Sequence, residues 1–214
     1  MVGLFEIVKM GGHIMWFIFI GSVLAVAVFA ERMVFYHRCT VRVNDFLKGI
    51  SRLLRKERWN EALERCDEAY GPAIRVVQVA ILKRHLKKQE LKEIIQEVGQ
   101  LEMPKLEANL ALLATIGQIA PLLGLLGTVT GMIQVFMEMN QSMGAAPISD
   151  LAGGIWEALI TTAGGLALAI PCYVAYNYLA ARLNAIVTDI ERSGIEVLQI
   201  LYDDPGVEEK EIKA

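Results

Sequence analysis

Three long runs without a charged residue constrain the fold of this chain more than any other feature. They cover residues 14–30, 109–137 and 158–181, and are 17, 29 and 24 residues long. A helix needs roughly 20 predominantly apolar residues to cross the hydrocarbon core of a bilayer. A composition with 54% hydrophobic residues is also high for an ordinary soluble domain. The sequence therefore predicts an all-α membrane protein with three transmembrane helices.

The distribution of Lys and Arg predicts how these helices are oriented. Of the 21 basic residues, 16 lie between residues 31 and 108 and four lie in the tail from Arg182, whereas residues 138–150 contain none. Basic residues accumulate in the cytoplasmic loops of membrane proteins. We therefore expect the N-terminus and the second turn outside, and the long loop and the tail inside. The net charge is only −3 and no basic patch is interleaved with aromatic residues, so no nucleic-acid partner is expected.

These assignments divide the chain into seven segments. They are a short periplasmic N-terminus without visible chemistry (1–12), transmembrane helix 1 (13–37), a helical cytoplasmic domain (38–108), transmembrane helix 2 (109–139), a periplasmic turn (140–150), transmembrane helix 3 (151–181) and a cytoplasmic helical tail (182–214). The pattern further predicts that the second helix opens near Pro104 and runs to about Asn140, roughly 54 Å at 1.5 Å per residue. Because the turn after it is short, helices 2 and 3 are expected to be antiparallel neighbours.

The tail carries an apolar repeat of about seven residues among its charges. Its members are Leu183, Val187, Ile190, Gly194, Val197 and Leu201. Repeats of this length are typical of helices that associate along an apolar seam. We therefore expect the third helix to continue beyond the membrane into an oligomeric bundle, up to a charged end of the chain after Asp203.

The first apolar run has a second interpretation. Val28-Phe29-Ala30 is compatible with a small-residue cleavage site, so the run could be a signal peptide. Cleavage there would leave two spans and contradict the charge distribution, and Lys9 before the run is offset by Glu6. The three-span interpretation is therefore preferred.

No motif for a cofactor or a metal is apparent. His37 and His85 lack the paired spacing of metal ligands, and neither a phosphate-binding loop nor a dinucleotide fingerprint occurs. Cys39, Cys66 and Cys172 are expected to be free thiols, since two fall in the cytoplasmic block and one in a span. An intramembrane hydrolase would need a second catalytic group in the spans, and none is present. We therefore expect no cofactor and no enzymatic activity.

One ionisable side chain interrupts the third apolar segment. Between Leu151 and Ala181 only Glu157 carries a charge. A charged side chain in a membrane helix costs about 3 kcal/mol on insertion scales, and such residues usually face protein or water for a functional reason. Glu157 is therefore predicted to be a proton site. The alternative is that it lies at the mouth of the helix and only touches the headgroup region.

Small residues recur along one face of the second helix. They are Gly117, Pro121, Gly124, Thr128 and Gly131, at steps of four, three, four and three. Such a face lets helix backbones approach closely in lipid, so the structural interpretation is packing against helix 3 and the functional one is pore lining. Thr128 differs from the glycines because its hydroxyl can bond to its own helix or face a polar lumen.

Polar and small residues also define faces of the third helix. Glu157 shares its face with Thr161 and Gly164, whereas Thr162 points about 140° away at 100° per residue. Pro171 removes one main-chain hydrogen bond and can bend the helix.

Two motifs in combination resemble the ExbB/TolQ/MotA family of proton-channel subunits, and its ExbB/TolQ branch most closely. The first is APLLGLLGTVTGMIQVF, residues 120–136, and the second is GIWEALITTAGGLALAIPCYVAYN, residues 154–177. The glutamate and threonine of the family's E-A-L-I-x-T motif match Glu157 and Thr162, and the threonine of its G-T-V motif matches Thr128. The resemblance implies that these three residues form the proton pathway.

The chain departs from the family pattern at two positions. Thr130 stands where the commonest family sequence has Trp, and Thr161 stands where many members have Ala. We expect the difference at Thr161 to lie outside the proposed proton site. The N-terminal segment is also shorter than in some ExbB proteins, which leaves the ExbB-like and TolQ-like alternatives open.

The resemblance implies a homo-oligomeric ring in the bacterial inner membrane, typically a pentamer. Helices 2 and 3 would line a lumen occupied by single-span ExbD/TolR-type helices, and a TonB/TolA-type partner would pass the motion to an outer-membrane process. A ring of glutamates in a dry lumen favours their protonated form, and a proton falling through 100 mV releases about 2.3 kcal/mol. The hydroxyls of Thr128 and Thr162 would orient water. The alternative is a passive scaffold in which Glu157 is a structural hydrogen bonder.

Overall fold

The computed structural model describes residues 11–40, 43–69, 71–141 and 148–202, and the regular secondary structure of these ranges is helical. Seven helices follow one another: α1 (Gly12–Thr40), α2 (Val43–Leu54), α3 (Trp59–Glu68), α4 (Pro72–Leu82), α5 (Lys88–Glu107), α6 (Leu110–Gln141) and α7 (Ile148–Tyr202). The predicted all-α class is therefore confirmed. Most of the N-terminal segment, most of the predicted external turn and the charged end of the tail lie outside the described residues.

Three of the described helices are long and apolar enough to cross a membrane. The spans are Gly12–Cys39, Leu110–Gln141 and Ala152–Tyr202, and their apolar 18-residue stretches have mean hydropathies of 2.2, 1.9 and 1.7. They also expose large apolar side chains, among them Phe17 (63% exposed), Leu122 (63%) and Ile170 (65%). Surfaces of this kind are stable against lipid or another protein rather than against water. The predicted number of apolar spans is confirmed.

A break at Asn109 corrects the expectation that the second helix opens near Pro104. Pro104 lies inside α5, where the amide of Ala108 donates to its carbonyl at 3.0 Å. Asn109 has φ +61°, a left-handed conformation that ends helices and that Asn adopts more readily than most residues. The membrane-length helix α6 therefore starts at Leu110. Two further prolines, Pro121 and Pro171, lie inside α6 and α7, and both helices continue through them.

The chain divides into two compact units. Unit 1 comprises Met1–Arg32 and Asn109–Leu179, and unit 2 comprises Met33–Ala108 and Ala180–Ala214. Unit 1 therefore contains most of α1, all of α6 and the first part of α7. It also contains every residue of the predicted proton pathway.

Unit 2 has an apolar core of its own, built from amphipathic helices. The most completely buried large side chains include Ile50, Val76, Val77, Ile81, Leu91 and Leu106. The hydroxyl of Tyr36 donates to the carbonyl of Leu106 at 2.7 Å. Glu102 is only 9% exposed and forms ion pairs with Arg75 and Lys105, at 3.3 and 2.9 Å. Burial of this carboxylate is compatible with stability because both cations offset its charge.

The apolar repeat in the tail packs inside unit 2. A Cβ atom added to Gly194 would lie 2.6 Å from Ile95 and 3.6 Å from Val76, and one added to Gly99 would lie 3.4 Å from Ile190. Val197 is 1% exposed. The face that was expected to contact other copies in a bundle is therefore covered by α4 and α5 of the same chain, since these helices supply the apolar surface it needs.

Candidate functional site

Glu157 lies in unit 1, on the first part of α7, and its side chain is half-buried. Its carboxylate is in contact with Gly12, the first residue of α1. A Cβ atom added to Gly12 would overlap Oε1 of Glu157, so the carboxylate occupies the space that a side chain would fill. Gly12 also has φ +63°, a conformation that disfavours any residue with a Cβ atom. The start of α1 thus covers one side of the predicted proton site.

Thr161 lies one helical turn from Glu157 and is almost fully buried, at 1% exposed. Its Oγ1 is 2.7 Å from the carbonyl oxygen of Glu157 and 3.2 Å from that of Gly11, so its single proton can be donated to either oxygen. The methyl group of Thr161 fills the space above Gly127 of α6. This residue therefore joins three helices. The expectation that Thr161 lies apart from the proposed proton site is wrong, because its hydroxyl bonds the main chain of Glu157 itself.

Thr162 faces α6 rather than the start of α1. Its hydroxyl donates to the carbonyl of Gly124 at 2.8 Å, and the side chain is half-buried. The carbonyl of Gly124 is accessible because no side chain covers the backbone there, and the two helices are close enough for a side chain to reach the main chain. Thr162 therefore links α7 to the small-residue face of α6, on another side of α7 from the carboxylate.

The hydroxyl of Thr128 is engaged by its own helix. It donates to the carbonyl of Leu125 at 2.6 Å. Thr130 does the same with the carbonyls of Leu126 and Gly127, at 3.0 and 3.1 Å. Thr128 therefore forms the intrahelical bond, which a threonine that faces a lumen can form as well. This bond joins Thr128 neither to Glu157 nor to Thr162.

The small-residue face of α6 lies directly against α7. Added Cβ atoms on Gly117, Gly124 and Gly131 would lie 3.3 Å from Cys172 Cβ, 3.0 Å from Thr162 Cα and 2.9 Å from Ala158 Cβ. Residues with higher numbers on α6 contact residues with lower numbers on α7. The two helices are therefore antiparallel, as the short turn predicts. Pro121, in the same row of residues, is half-buried, and Pro171 is exposed on α7.

Sequence reasoning missed part of this contact and one part of the site. Gly154 and Gly165 of α7 face α6 in return: their added Cβ atoms would lie 2.5 Å from Val135 Cγ2 and 2.5 Å from the carbonyl oxygen of Ala120. The Gly164-Gly165 pair was a visible signal for a second small-residue face. The contact of Gly12 with Glu157 had a weaker signal, the Gly11-Gly12 pair before the first apolar run, in a segment that was expected to carry no chemistry.

The functional groups of these residues are of kinds that can exchange protons or bind water. A carboxylate can accept and release one, and the threonine hydroxyls keep lone pairs that can accept a hydrogen bond from water after donating to a carbonyl. Gly12 lies against the carboxylate of Glu157, and the hydroxyl of Thr161 bonds the main-chain carbonyl of the same residue. These groups position a carboxyl group and do not supply a second reactive group for bond cleavage.

Comparison with known proteins supports the family resemblance that the two sequence motifs indicate. The profile of the family described as "MotA/TolQ/ExbB proton channel family" matches residues 68–192. A protein of Synechocystis sp. named ExbB-like 3 is 32% identical over 194 residues, 89% of this chain and 91% of the relative. The Tol-Pal system protein TolQ of Haemophilus influenzae is 44% identical over 101 residues, 47% of this chain and 44% of the relative.

A third relative is intermediate in coverage. The biopolymer transport protein ExbB of Neisseria gonorrhoeae is 32% identical over 146 residues, 62% of this chain and 66% of the relative. The family match includes Thr128, Glu157 and Thr162 and extends over more than half of the chain. Together with three membrane-length apolar helices and a glutamate inside the third, these matches show that the chain belongs to the MotA/TolQ/ExbB proton channel family.

Proposed function

We propose that this chain is the proton-channel subunit of an ExbB–ExbD or TolQ–TolR type motor in the bacterial inner membrane. In this proposal protons move down their gradient past Glu157, and the energy released moves a partner. The observation that carries the proposal is the half-buried carboxylate of Glu157 in an apolar helix, held against Gly12, while the hydroxyl of Thr161 bonds the main-chain carbonyl of Glu157.

Energetics favour a functional role for this carboxylate. Keeping a charged side chain in a membrane helix costs about 3 kcal/mol, and such residues are retained where they face protein or water on an ion pathway. A proton that crosses 100 mV releases about 2.3 kcal/mol, which is enough to bias a movement of packed helices. A carboxyl group that changes its charge each time a proton passes links the cost of the buried charge to the energy that the proton releases.

The proposed assembly follows from the family and from the exposed surfaces. α6 and α7 present apolar side chains outward, among them Leu125, Val129, Phe136, Ile155 and Leu159. We propose that these faces contact lipid, neighbouring copies in a pentameric ring, and single-span ExbD/TolR-type helices inside the ring. A TonB/TolA-type protein would then carry the movement to the outer membrane. The charge distribution supports a periplasmic N-terminus and a cytoplasmic C-terminus.

Replacement of Glu157 by Gln tests the proton pathway. The amide has nearly the same shape and can still hydrogen bond, but it cannot take part in proton transfer. We expect Glu157→Gln to lower proton flux by at least about tenfold, the factor given by a barrier increase of 1.4 kcal/mol. The flux is measured with a pH-sensitive dye inside liposomes that contain the chain and its co-purified partner.

The matched control is Glu138→Gln, which makes the same chemical change at an exposed position near the end of α6. It should leave proton flux unchanged. The scaffold alternative predicts that Glu157→Gln behaves like this control, because the amide preserves a structural hydrogen bond. Normal flux in Glu157→Gln would therefore reject the proton pathway and support the scaffold.

A further inference from the structure

We propose that the Gly11–Gly12 turn at the start of α1 is a positioning element for Glu157, which holds the carboxylate and limits access to it. This inference rests on the proposed proton pathway and adds to it a segment far away in sequence. Gly11 and Thr161 are 150 residues apart, yet they are in hydrogen-bonding contact.

The first observation is that Gly12 is fitted to the carboxylate. Its φ of +63° lies in the left-handed region, and an added Cβ atom would overlap Oε1 of Glu157. Either fact alone disfavours a side chain at this position. Together they indicate that there is no room for a side chain between the backbone of Gly12 and the carboxylate. The carboxylate therefore has to move if Gly12 acquires a side chain.

The second observation is that a separate bond anchors the turn. Thr161 Oγ1 lies 3.2 Å from the carbonyl oxygen of Gly11, and Thr161 is itself fixed by burial and by its contact with Gly127. The hydroxyl, whose single proton can be donated to this carbonyl or to that of Glu157, therefore links the turn to α7 one helical turn from the carboxylate. Alanine at this position would lack the hydroxyl and could not form this bond.

The third observation extends the contact along α7. A Cβ atom added to Gly164 would lie 2.8 Å from Cε of Met15, and Met15 is 8% exposed. Glu157, Thr161 and Gly164 are spaced by four and three residues, so one face of α7 makes all three contacts with the first turns of α1. The start of α1 is therefore docked as a unit, and its displacement from this face would uncover the carboxylate.

Carbodiimide labelling of Glu157 measures this cover directly, because the reagent must reach the carboxyl group to react with it. The rate is followed by mass spectrometry on the purified full-length protein. We expect Gly12→Ala to raise the labelling rate about fivefold, since alanine in a left-handed conformation shifts an equilibrium by about that factor. The matched control is Gly153→Ala, because an added Cβ atom there has no neighbour within 4 Å, and its labelling rate should equal that of the unchanged protein.

Thr161 provides a second, independent variant. Thr161→Val keeps the branched shape but removes the donor to Gly11, and the labelling rate should rise about fivefold, as expected for loss of one hydrogen bond. Thr161→Ser keeps the hydroxyl and should restore the original rate, which a purely space-filling role of the methyl group would not do. Thr161→Val also tests the positioning role if Gly12→Ala does not fold.

The outcomes separate this inference from the proposed function. Labelling rates in Gly12→Ala and Thr161→Val that equal the Gly153→Ala rate overturn the positioning role, even if Glu157→Gln abolishes proton flux. Normal flux in Glu157→Gln overturns the proton pathway, whatever the labelling rates are. Raised labelling in Gly12→Ala and Thr161→Val, with rescue by Thr161→Ser, supports the positioning role.

Discussion

Glu157 combines an ionisable side chain with surroundings that most ionisable side chains avoid. Its support comes from main-chain atoms and hydroxyls, which are small and carry no net charge. The hydroxyl of Thr161 can bond the carbonyl of Glu157, and the missing side chain of Gly12 leaves room for the carboxylate. Neither of these two neighbours contributes a charged side chain.

Cys66 in unit 2 illustrates how burial alone changes the chemistry of a residue. Burial raises the pKa of this thiol from 9.0 to about 11, and the negative charge of Asp67 adds to the rise. Since the thiolate is the reactive form, two pKa units lower its fraction about a hundredfold near neutral pH. We expect iodoacetamide at about pH 8 to alkylate Cys66 at least about a hundredfold more slowly in the folded than in the denatured protein, as measured by mass spectrometry.

The raised pKa of Cys66 also determines how the free energy of unfolding changes with pH. The folded protein holds the thiol proton more tightly than the unfolded chain, so the contribution to the free energy of unfolding is complete below pH 9 and is lost as the pH rises from about 9 to about 11. The Cys66→Ala variant should lack this part of the pH dependence. Equal alkylation rates in the folded and denatured protein would contradict the buried, protonated thiol.

At the scale of helices, the decisive contact is the close antiparallel packing of α6 on α7. Helices in lipid gain little from burying apolar surface, so their association depends on close backbone approach and interhelical hydrogen bonds. Both are present here. The glycines of the two helices face one another, and the hydroxyl of Thr162 reaches the carbonyl of Gly124 at 2.8 Å. The pathway residues on α7 are held in place by this contact.

Gly165→Ala tests this contact. The added methyl group would lie 2.5 Å from the carbonyl oxygen of Ala120 and 3.0 Å from Gly124 Cα, and neither backbone atom can move without separating the helices. We expect a loss of about 1–3 kcal/mol, the usual cost of overpacking. Thermal unfolding in detergent measures it, with Gly153→Ala as the control because its added methyl group has open space. Equal unfolding temperatures for the two variants would show that the helices can separate freely.

The helices themselves could be predicted from sequence because they depend on local patterns. Uncharged runs predicted the spans, and the apolar repeat in the tail predicted that the third helix continues beyond its uncharged run, as α7 does up to Tyr202. The break at Asn109 was missed because a single backbone conformation ends the helix there, and such a conformation leaves no periodic pattern in the sequence. The contact of Gly12 with Glu157 was missed for another reason. It joins distant parts of the chain, and a glycine pair at the edge of an apolar run gives no indication of its partner.

At the scale of the whole molecule, the prediction concerns the oligomeric state. One chain supplies one Glu157, and in the proposed ring several copies around an axis form the lumen together. The large exposed apolar side chains of α6 and α7 leave surface for such contacts. Native mass spectrometry of the chain released from detergent should give a species of about five 23.7 kDa subunits. A monomer under these conditions would reject the ring and the lumen together.

Glu157→Gln should give the same oligomer as the unchanged chain. The carboxylate contacts Gly12 of its own chain, and the amide keeps nearly the same size, so we expect the contacts between copies to be preserved. Assembly and proton transfer are then separable: the variant forms the ring and fails to conduct. If Glu157→Gln instead dissociates into single chains, the carboxylate stabilises the assembly, and the loss of flux in the same variant would follow from the missing ring rather than from the missing proton acceptor.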